Sequence, residues 1–335
     1  VVEDDEVQVV PKSLVIGASG FLGSHVVRKL VEDGISTRVM VRSTSSTKGI
    51  DDLDVEKVLG DIFDDDALRT AMAGCDVVYY CVVDARVFLR DPEPLFRTNV
   101  EGLRHVLNVA LDAGLRKFVF TSTAGTLAIS DDTLITEDDE RNWDTGGPYI
   151  EARVAAEDLV LEYARERGLP AVAMCVSTTY GPRDWQPTPH GRTIAQAAAG
   201  KLAFYPAYDA EIVGIEDTAR AMLLAAERGR PGERYIISDR CLSSLYPLTI
   251  AAEVGGKRPP RALPMPFVLS ATRATDALVR LVRGDMKLGY DAMRIAQAMS
   301  ALDHSKAERE LGWKPTPVEE SIRSAAQFYA SEGII

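Results

Sequence analysis

Leu14-Val15-Ile16-Gly17-Ala18-Ser19-Gly20-Phe21-Leu22-Gly23 is the stretch that decides the fold. A short apolar run ends in a glycine turn, and an apolar-periodic segment over 21–30 follows at once, which reads as strand, tight turn, helix. Gly17, Gly20 and Gly23 remove Cβ atoms where the chain turns sharply and where a ligand must touch the backbone. The third also lets the new helix lie close on the strand it has just left. Free N–H groups and the positive dipole end of that helix suit a pyrophosphate. A glycine motif alone is a weak signal. A strand before it and a helix after it make a dinucleotide the expected ligand.

Outward from this turn the same rhythm continues. Residues 36–41 alternate and are β-branched, a second strand that ends in the polar loop 42–46. Residues 56–61 form a short third strand, and 64–73 a helix. The apolar run 76–83 fits a strand buried on both faces of a parallel sheet. Helical periodicity over 94–113 stops at Gly114, 117–122 is a strand, and the acidic loop 131–147 leads to a helix over 148–167. Gly168 and Pro170 end that helix before the strand 171–176. Such alternation predicts an α/β fold, a Rossmann doubly wound parallel sheet with right-handed crossovers. Beyond Tyr180-Gly181-Pro182 prolines and aromatics crowd in, while 217–228 reads as a helix and 233–238 as a strand that return to the sheet. Residues 262–333 are mostly helical. The expected organisation is a dinucleotide-binding domain over 11–180, completed by about 211–237, and a smaller, mainly C-terminal substrate-binding domain over 181–210 and 238–335. Residues 1–10 are expected to be a loosely held tail.

A chain of 335 residues has room for two such units at ~150 residues per domain. Its 46% hydrophobic and 26% charged content is that of an ordinary globular protein, and its net charge of −12 argues against a nucleic-acid partner. Cys75, Cys81, Cys175 and Cys241 are far apart and read as small reduced residues; His25, His105, His190 and His304 show no metal-ligand spacing. No stretch approaches the ~18 apolar residues of a membrane span, and the acidic start Glu3-Asp4-Asp5-Glu6 is unlike a secretory leader. A cytoplasmic protein is expected.

In a dinucleotide fold an acidic residue at the end of the second strand binds the ribose hydroxyls and favours NAD. Here that place holds Arg42, followed by the hydroxyls of Ser43 and Thr44. A guanidinium suits a 2′-phosphate. At roughly 1.5–3 kcal/mol per charge-assisted bond, one arginine shifts preference by about 10- to 100-fold. NADP(H) is therefore expected over NAD(H), with Asp61 better placed for the adenine edge than for the ribose.

Tyr149 opens a helix and Arg153 lies four residues on, so their side chains share a face. A fixed cation beside a phenol, whose ordinary pKa is about 10, favours the phenolate and eases proton exchange with a substrate oxygen near neutral pH. Thr121, Ser122 and Thr123 end the preceding strand and offer hydroxyls beside that oxygen.

With these residues the chain resembles an extended short-chain dehydrogenase/reductase, the group of sugar-nucleotide epimerases, dihydroflavonol reductases and 3β-hydroxysteroid dehydrogenases. The matching residues are the 17–23 turn, Gly60-Asp61, Asn99-Val100-Glu101-Gly102, Val119-Phe120-Thr121-Ser122-Thr123-Ala124-Gly125, Tyr149, Tyr180-Gly181-Pro182-Arg183-Asp184 and the late 305–313 segment. They keep the group's order along almost the whole chain. The run 177–189 is most similar to the dihydroflavonol-reductase-like branch, including its hopanoid-associated members.

This resemblance implies that Tyr149 donates a proton to a substrate carbonyl, with Thr123 in place of the usual serine and Asn99 holding the active-site helix and a water relay. It places the cofactor on Gly17, Ser19, Gly20, Phe21, Leu22, Gly23, Arg42, Asp61, Ile62, Val82, Thr121, Tyr149, Arg153, Val176 and Thr178. Arg153 departs from the group's lysine; its guanidinium keeps the charge but is longer, planar and unable to deliver a proton. Helices 94–113 and 148–167 resemble those that form a four-helix homodimer interface in this group.

Substrate contacts are expected from 85–92, 125–147 and 185–208, where Phe88, Trp143, Trp185, Phe204, Tyr205 and Tyr208 give an aromatic lining. The cations there are Arg86, Arg90, Arg183, Arg192 and Lys201. Residues 265–283, with Arg273, Arg280 and Arg283, read as a helix over the site mouth rather than as a membrane contact. Three functions follow: an NADPH-dependent reductase of an apolar ketone or aldehyde, a sugar-nucleotide epimerase or dehydratase, and an NADP-binding protein whose catalysis is impaired by Arg153.

Overall fold

The computed structural model describes residues 12–86, 91–130, 132–143, 146–283, 293 and 300–334, with 276–283 described by their backbone alone. β1 (Lys12–Ile16), β2 (Ser36–Val41), β3 (Glu56–Leu59), β4 (Val77–Tyr80), β5 (Lys117–Thr123) and β6 (Ala171–Val176) form a parallel sheet. After β7 (Thr178–Tyr180), β8 (Phe204–Ala207) and β9 (Asp209–Gly214), β10 (Arg234–Ile237) returns to its edge beside β6. The sheet order is β10-β6-β5-β4-β1-β2-β3. Strand order reverses between β1 and β4, and in open α/β sheets ligands bind in the crevice at that reversal.

Alternation along the strands sends side chains to two cores. Val15, Tyr79, Val119 and Met174 face α1 (Phe21–Glu32) and α7 (Ile215–Arg228), with Trp313 completing the layer. Leu14, Ile16, Tyr80, Phe118 and Phe120 face α2 (Asp65–Met72), α4 (Leu103–Asp112) and α5 (Gly147–Arg167). The molecule is thus a Rossmann α/β fold.

The periodic segment 94–113 is one continuous helical rod with a change of pitch inside it. α3 (Glu93–Phe96) passes into a π-helical stretch, Arg97–Gly102, before α4 resumes. The stretch ends on Gly102, where a Cβ would strike Ile62. Wide π turns re-aim side chains, and this one carries Asn99.

A smaller unit covers one end of the sheet. β9 pairs with β7 on one side and β11 (Arg240–Ser243) on the other in a three-stranded sheet, and β8 pairs with β12 (Arg261–Pro264). α6 (Pro189–Ala198), α8 (Leu245–Val254) and the last helix, Val318–Glu332, pack Ile194, Leu248, Val318, Ile322 and Tyr329 into a third core. α9 (Met265–Arg283) follows β12. The tail 1–10, Phe88, Arg90 and the side chains of Arg280 and Arg283 lie outside the described residues.

Candidate functional site

The glycine turn sits at the reversal of strand order. Gly17 has φ +90°, a conformation that strains any side chain. A Cβ there would lie 2.8 Å from the Cys81 carbonyl carbon and 2.9 Å from Val82 N, so the turn touches the chain leaving β4. At Gly23 a Cβ would collide with the Gly17 carbonyl oxygen, which is how α1 comes to lie against β1. No side chain caps α1, whose first turn holds Phe21, Leu22 and Gly23 behind Ser19 and Gly20. Its opening N–H groups are therefore available to an anion.

The residues expected at the adenosine end follow the next two strands. Arg42 leaves β2 exposed, with its carbonyl accepting from Ser45 N–H at 3.0 Å. Asp61, beyond β3, turns one carboxylate oxygen to the Phe63 N–H at 3.1 Å. Ile62 is buried beneath Gly102.

β5 and α5 carry the residues expected at the reactive end. Arg153 is 1% exposed, crosses the Phe120 ring at 5.1 Å and donates from Nη2 to the Thr121 carbonyl. Its Nε and Nη1 are buried without a hydrogen-bond partner among the described residues, and so is the Tyr80 hydroxyl. Buried donors left unpaired are costly. A ligand hydroxyl would satisfy them, so the donor set and the glycine cradle both fit a dinucleotide. Thr121 also directs its hydroxyl to Cys81 Sγ at 3.6 Å.

Thr123 ends β5 and caps the 3-10 turn Ala124–Thr126, its Oγ1 accepting from Gly125 N–H at 3.3 Å. A hydroxyl that accepts on one side keeps its proton for another partner. Ile150, next to Tyr149, closes over this turn, since a Cβ on Gly125 would lie 2.7 Å from Ile150 Cδ1. Val176 pairs with Thr123 in the β5–β6 register, and Thr178 begins β7 just beyond.

Tyr149 is half-buried, and burial raises its pKa above the ordinary phenol value; Arg153 lowers it and Asp84 raises it. The net direction is upward, opposite to the effect expected from Arg153 alone. Desolvation of the phenolate outweighs the nearby cation.

Asn99 does something the sequence did not reveal. Its Oδ1 accepts from Asp84 N–H and its Nδ2 donates to the Asp84 carbonyl, both at 3.0 Å. The amide is consumed in holding the chain beyond β4, and the Asp84 carboxylate, clasped by Arg86, acts on Tyr149. Glu157 was also missed. It lies one further four-residue step along α5, 0% exposed, against Ser122 and Thr126. That step was the available signal for Glu157; nothing in the spacing announces Asp84.

The aromatics of these segments have the following partners. Trp185 packs edge-on to Phe328 of the last helix at 4.8 Å beneath Lys48. Trp143 donates its indole N–H to the Leu127 carbonyl at 2.7 Å, and Tyr205 belongs to the third core. Phe204 remains exposed. Of the cations, Arg86 is paired with Asp84, and Arg183 faces Asp52 at 3.8 Å.

The sequence model of the NAD dependent epimerase/dehydratase family matches residues 13–238. Sterol demethylase protein B of Methylococcus capsulatus is 30% identical, over 96% of this chain and 99% of its own length. A putative dihydroflavonol 4-reductase of Synechocystis is 26% identical, over 96% and 95% of the two chains. The crystal structure of gox2253 superposes with a TM-score of 0.87 at 31% identity, covering 96% of this chain and 98% of that one.

Proposed function

Since the chain belongs to the NAD dependent epimerase/dehydratase family, we propose that it is an NADP(H)-dependent reductase of a ketone or aldehyde carbonyl on a small, largely apolar molecule. The observation that carries this reading is that Tyr149 stands one helical turn from the buried Arg153, whose charge acts on the phenol, beside the Thr123 turn. Similarity to a protein described as a dihydroflavonol 4-reductase supports the reductive direction.

The 17–23 turn would hold the pyrophosphate, Arg42 a 2′-phosphate, and Asp61 and Ile62 the adenine. Val82, Thr121, Arg153, Val176 and Thr178 would surround the nicotinamide half. The chemistry a bound dinucleotide supplies is hydride donation to the carbonyl carbon. Thr123 directs its free proton to the carbonyl oxygen, and Tyr149 gives that oxygen the proton that completes the alcohol. A phenol with a raised pKa suits this task, because it is protonated through the neutral range. Arg153 orients the ligand and stabilises the phenolate left behind; the proton that restores Tyr149 comes from water, since a guanidinium does not release one.

A panel of aldehydes and ketones with NADPH, followed at the nicotinamide absorbance, tests the reading. Tyr149→Phe should lower the best rate by about 10²- to 10⁴-fold while NADPH affinity changes little. Turnover retained in that variant would exclude Tyr149 as the acid. In the wild type, reduction should hold steady across neutral pH and decline only in the alkaline range, as the phenol ionises.

The locked position of Arg153 on the Thr121 carbonyl favours a second reading, an NADP-binding protein without ordinary turnover. Arg153→Lys separates the two. The reductase reading expects an active wild type and a modest change, whereas a large gain from an inactive wild type would establish the second.

A further inference from the structure

Glu157 is as deeply buried as any carboxylate in the described chain, and what surrounds it is the turn that carries Thr123. Along α5 the residues Tyr149, Arg153 and Glu157 are spaced by four, so they form one stripe facing β5 and β6. Glu157 Oε2 accepts from the Ser122 hydroxyl, stands 2.9 Å from Thr126 Oγ1 and 3.4 Å from Cys175 Sγ. Its other oxygen faces Arg234 Nη1 at 3.3 Å, on the edge strand β10. Ser122 and Thr126 flank Thr123, and the Thr126 hydroxyl also reaches the Thr123 carbonyl at 2.8 Å. One hydroxyl proton is thus shared between the carboxylate and the backbone of the very residue whose side chain is to donate.

A carboxyl group with 0% exposure is costly to bury and is a poor way to gain stability, for apolar packing does better. Its worth here is directional. Arg234, itself bonded to the Glu137 carbonyl, supplies the compensating charge. Burial and the neighbouring carboxylate hold the Cys175 thiol well above its ordinary pKa, so it stays a donor to Glu157. Every group that meets the carboxylate therefore donates, and two of the donors belong to the strand end and turn around Thr123.

We propose that Glu157 is a positioning residue: by holding the Ser122 and Thr126 hydroxyls, it aims the Thr123 hydroxyl at the substrate oxygen. The proposal rests on the role given to Thr123 above.

Hydrogen–deuterium exchange on the full chain provides a readout that needs no substrate. Glu157→Gln removes the charge and keeps the shape; Thr126→Val removes one hydroxyl without leaving a buried charge unpaired, and serves if the first variant folds poorly. Both should speed exchange over 122–127 while β1 and β4 keep their protection. Uniform acceleration across the sheet, or no change at 122–127, would overturn the proposal whether or not the reductase reading stands. With NADPH and the fastest carbonyl of the panel, either variant should lower kcat on the order of 10- to 100-fold with NADPH affinity unchanged. In a Thr123→Ala background the same substitution should cost almost nothing further, because the hydroxyl it aims is gone. Independent, multiplicative losses would show a merely structural carboxylate. If Thr123→Ala alone costs nothing, the failure lies in the role of Thr123 instead.

Discussion

At position 153 the charge matters less than its reach. A lysine ammonium is a compact point charge with three donors, whereas the Arg153 guanidinium spreads five donors over a plane. One of its nitrogens is spent on the Thr121 carbonyl, and two are left buried without a partner among the described residues. That geometry is suited to gripping a polar ligand and unsuited to relaying a proton. Arg42 poses a simpler question, because it is exposed and its contribution is electrostatic. Arg42→Asp should invert nucleotide preference, weakening NADPH about 10- to 100-fold and improving NADH, as titrations of the two nucleotides would measure. Equal binding of both by the wild type would remove Arg42 from the site. At this scale the sequence was legible wherever one residue type was enough: a cation at the end of β2, a phenol at the start of α5. It was opaque at Tyr149's pKa, because desolvation depends on what covers the ring.

At the scale of elements, α1 shows how a local motif and a packed environment combine. The helix starts from the glycine turn, which any reader of 14–23 would find, and it buries His25 on the face toward the rest of the fold. The His25 Nδ1 meets the Phe21 carbonyl at 2.9 Å, and Nε2 has no hydrogen-bond partner among the described residues. Burial lowers its pKa from 6.5 to about 4. The unfolded chain therefore takes up this proton near pH 6.5 and the native state only near pH 4, so stability falls as pH is lowered through that window. The loss approaches about 3 kcal/mol by the lower limit. Urea midpoints between pH 7 and 4 should fall more steeply for the wild type than for His25→Gln; parallel curves would refute the assignment. The π-helical stretch Arg97–Gly102 is an element that periodicity did not disclose. Its residues carry a normal helical pattern, and the widened turn is decided by the close approach of Gly102 to Ile62 and by the hold of Asn99 on Asp84.

At the scale of the molecule, residues 300–316 tie the sheet to the smaller unit. Leu302 bridges to Ile135 in the loop beyond β5, while Glu211 on β9 accepts from the Leu302 N–H at 2.9 Å. Trp313, 1% exposed, fills the core under α7 and donates its indole N–H to the Asp217 carbonyl at 2.9 Å. Thr316 bonds the Asp217 carboxylate in the same place. Trp313→Ala should cost about 3–5 kcal/mol and lower the thermal midpoint of the whole protein in a single transition. A separate early transition would mean that the last helices unfold on their own.

The sequence by itself determined the strand–turn–helix of 14–23, the parallel alternation that follows, and the Tyr149 and Arg153 spacing. Each of these is a short-range property, set by backbone freedom at glycine and by the periods of strand and helix. Tertiary structure alone decided which groups the active residues meet. Asn99 reaches Asp84 across 15 residues, Glu157 reaches Ser122 across 35, and Arg234 reaches Glu157 across 77. Trp185 found its partner in the same way, packing edge-on against Phe328 far along the chain. Burial, and with it the raised pKa of Tyr149 and the lowered pKa of His25, belongs to the folded assembly of segments and to no single stretch of sequence.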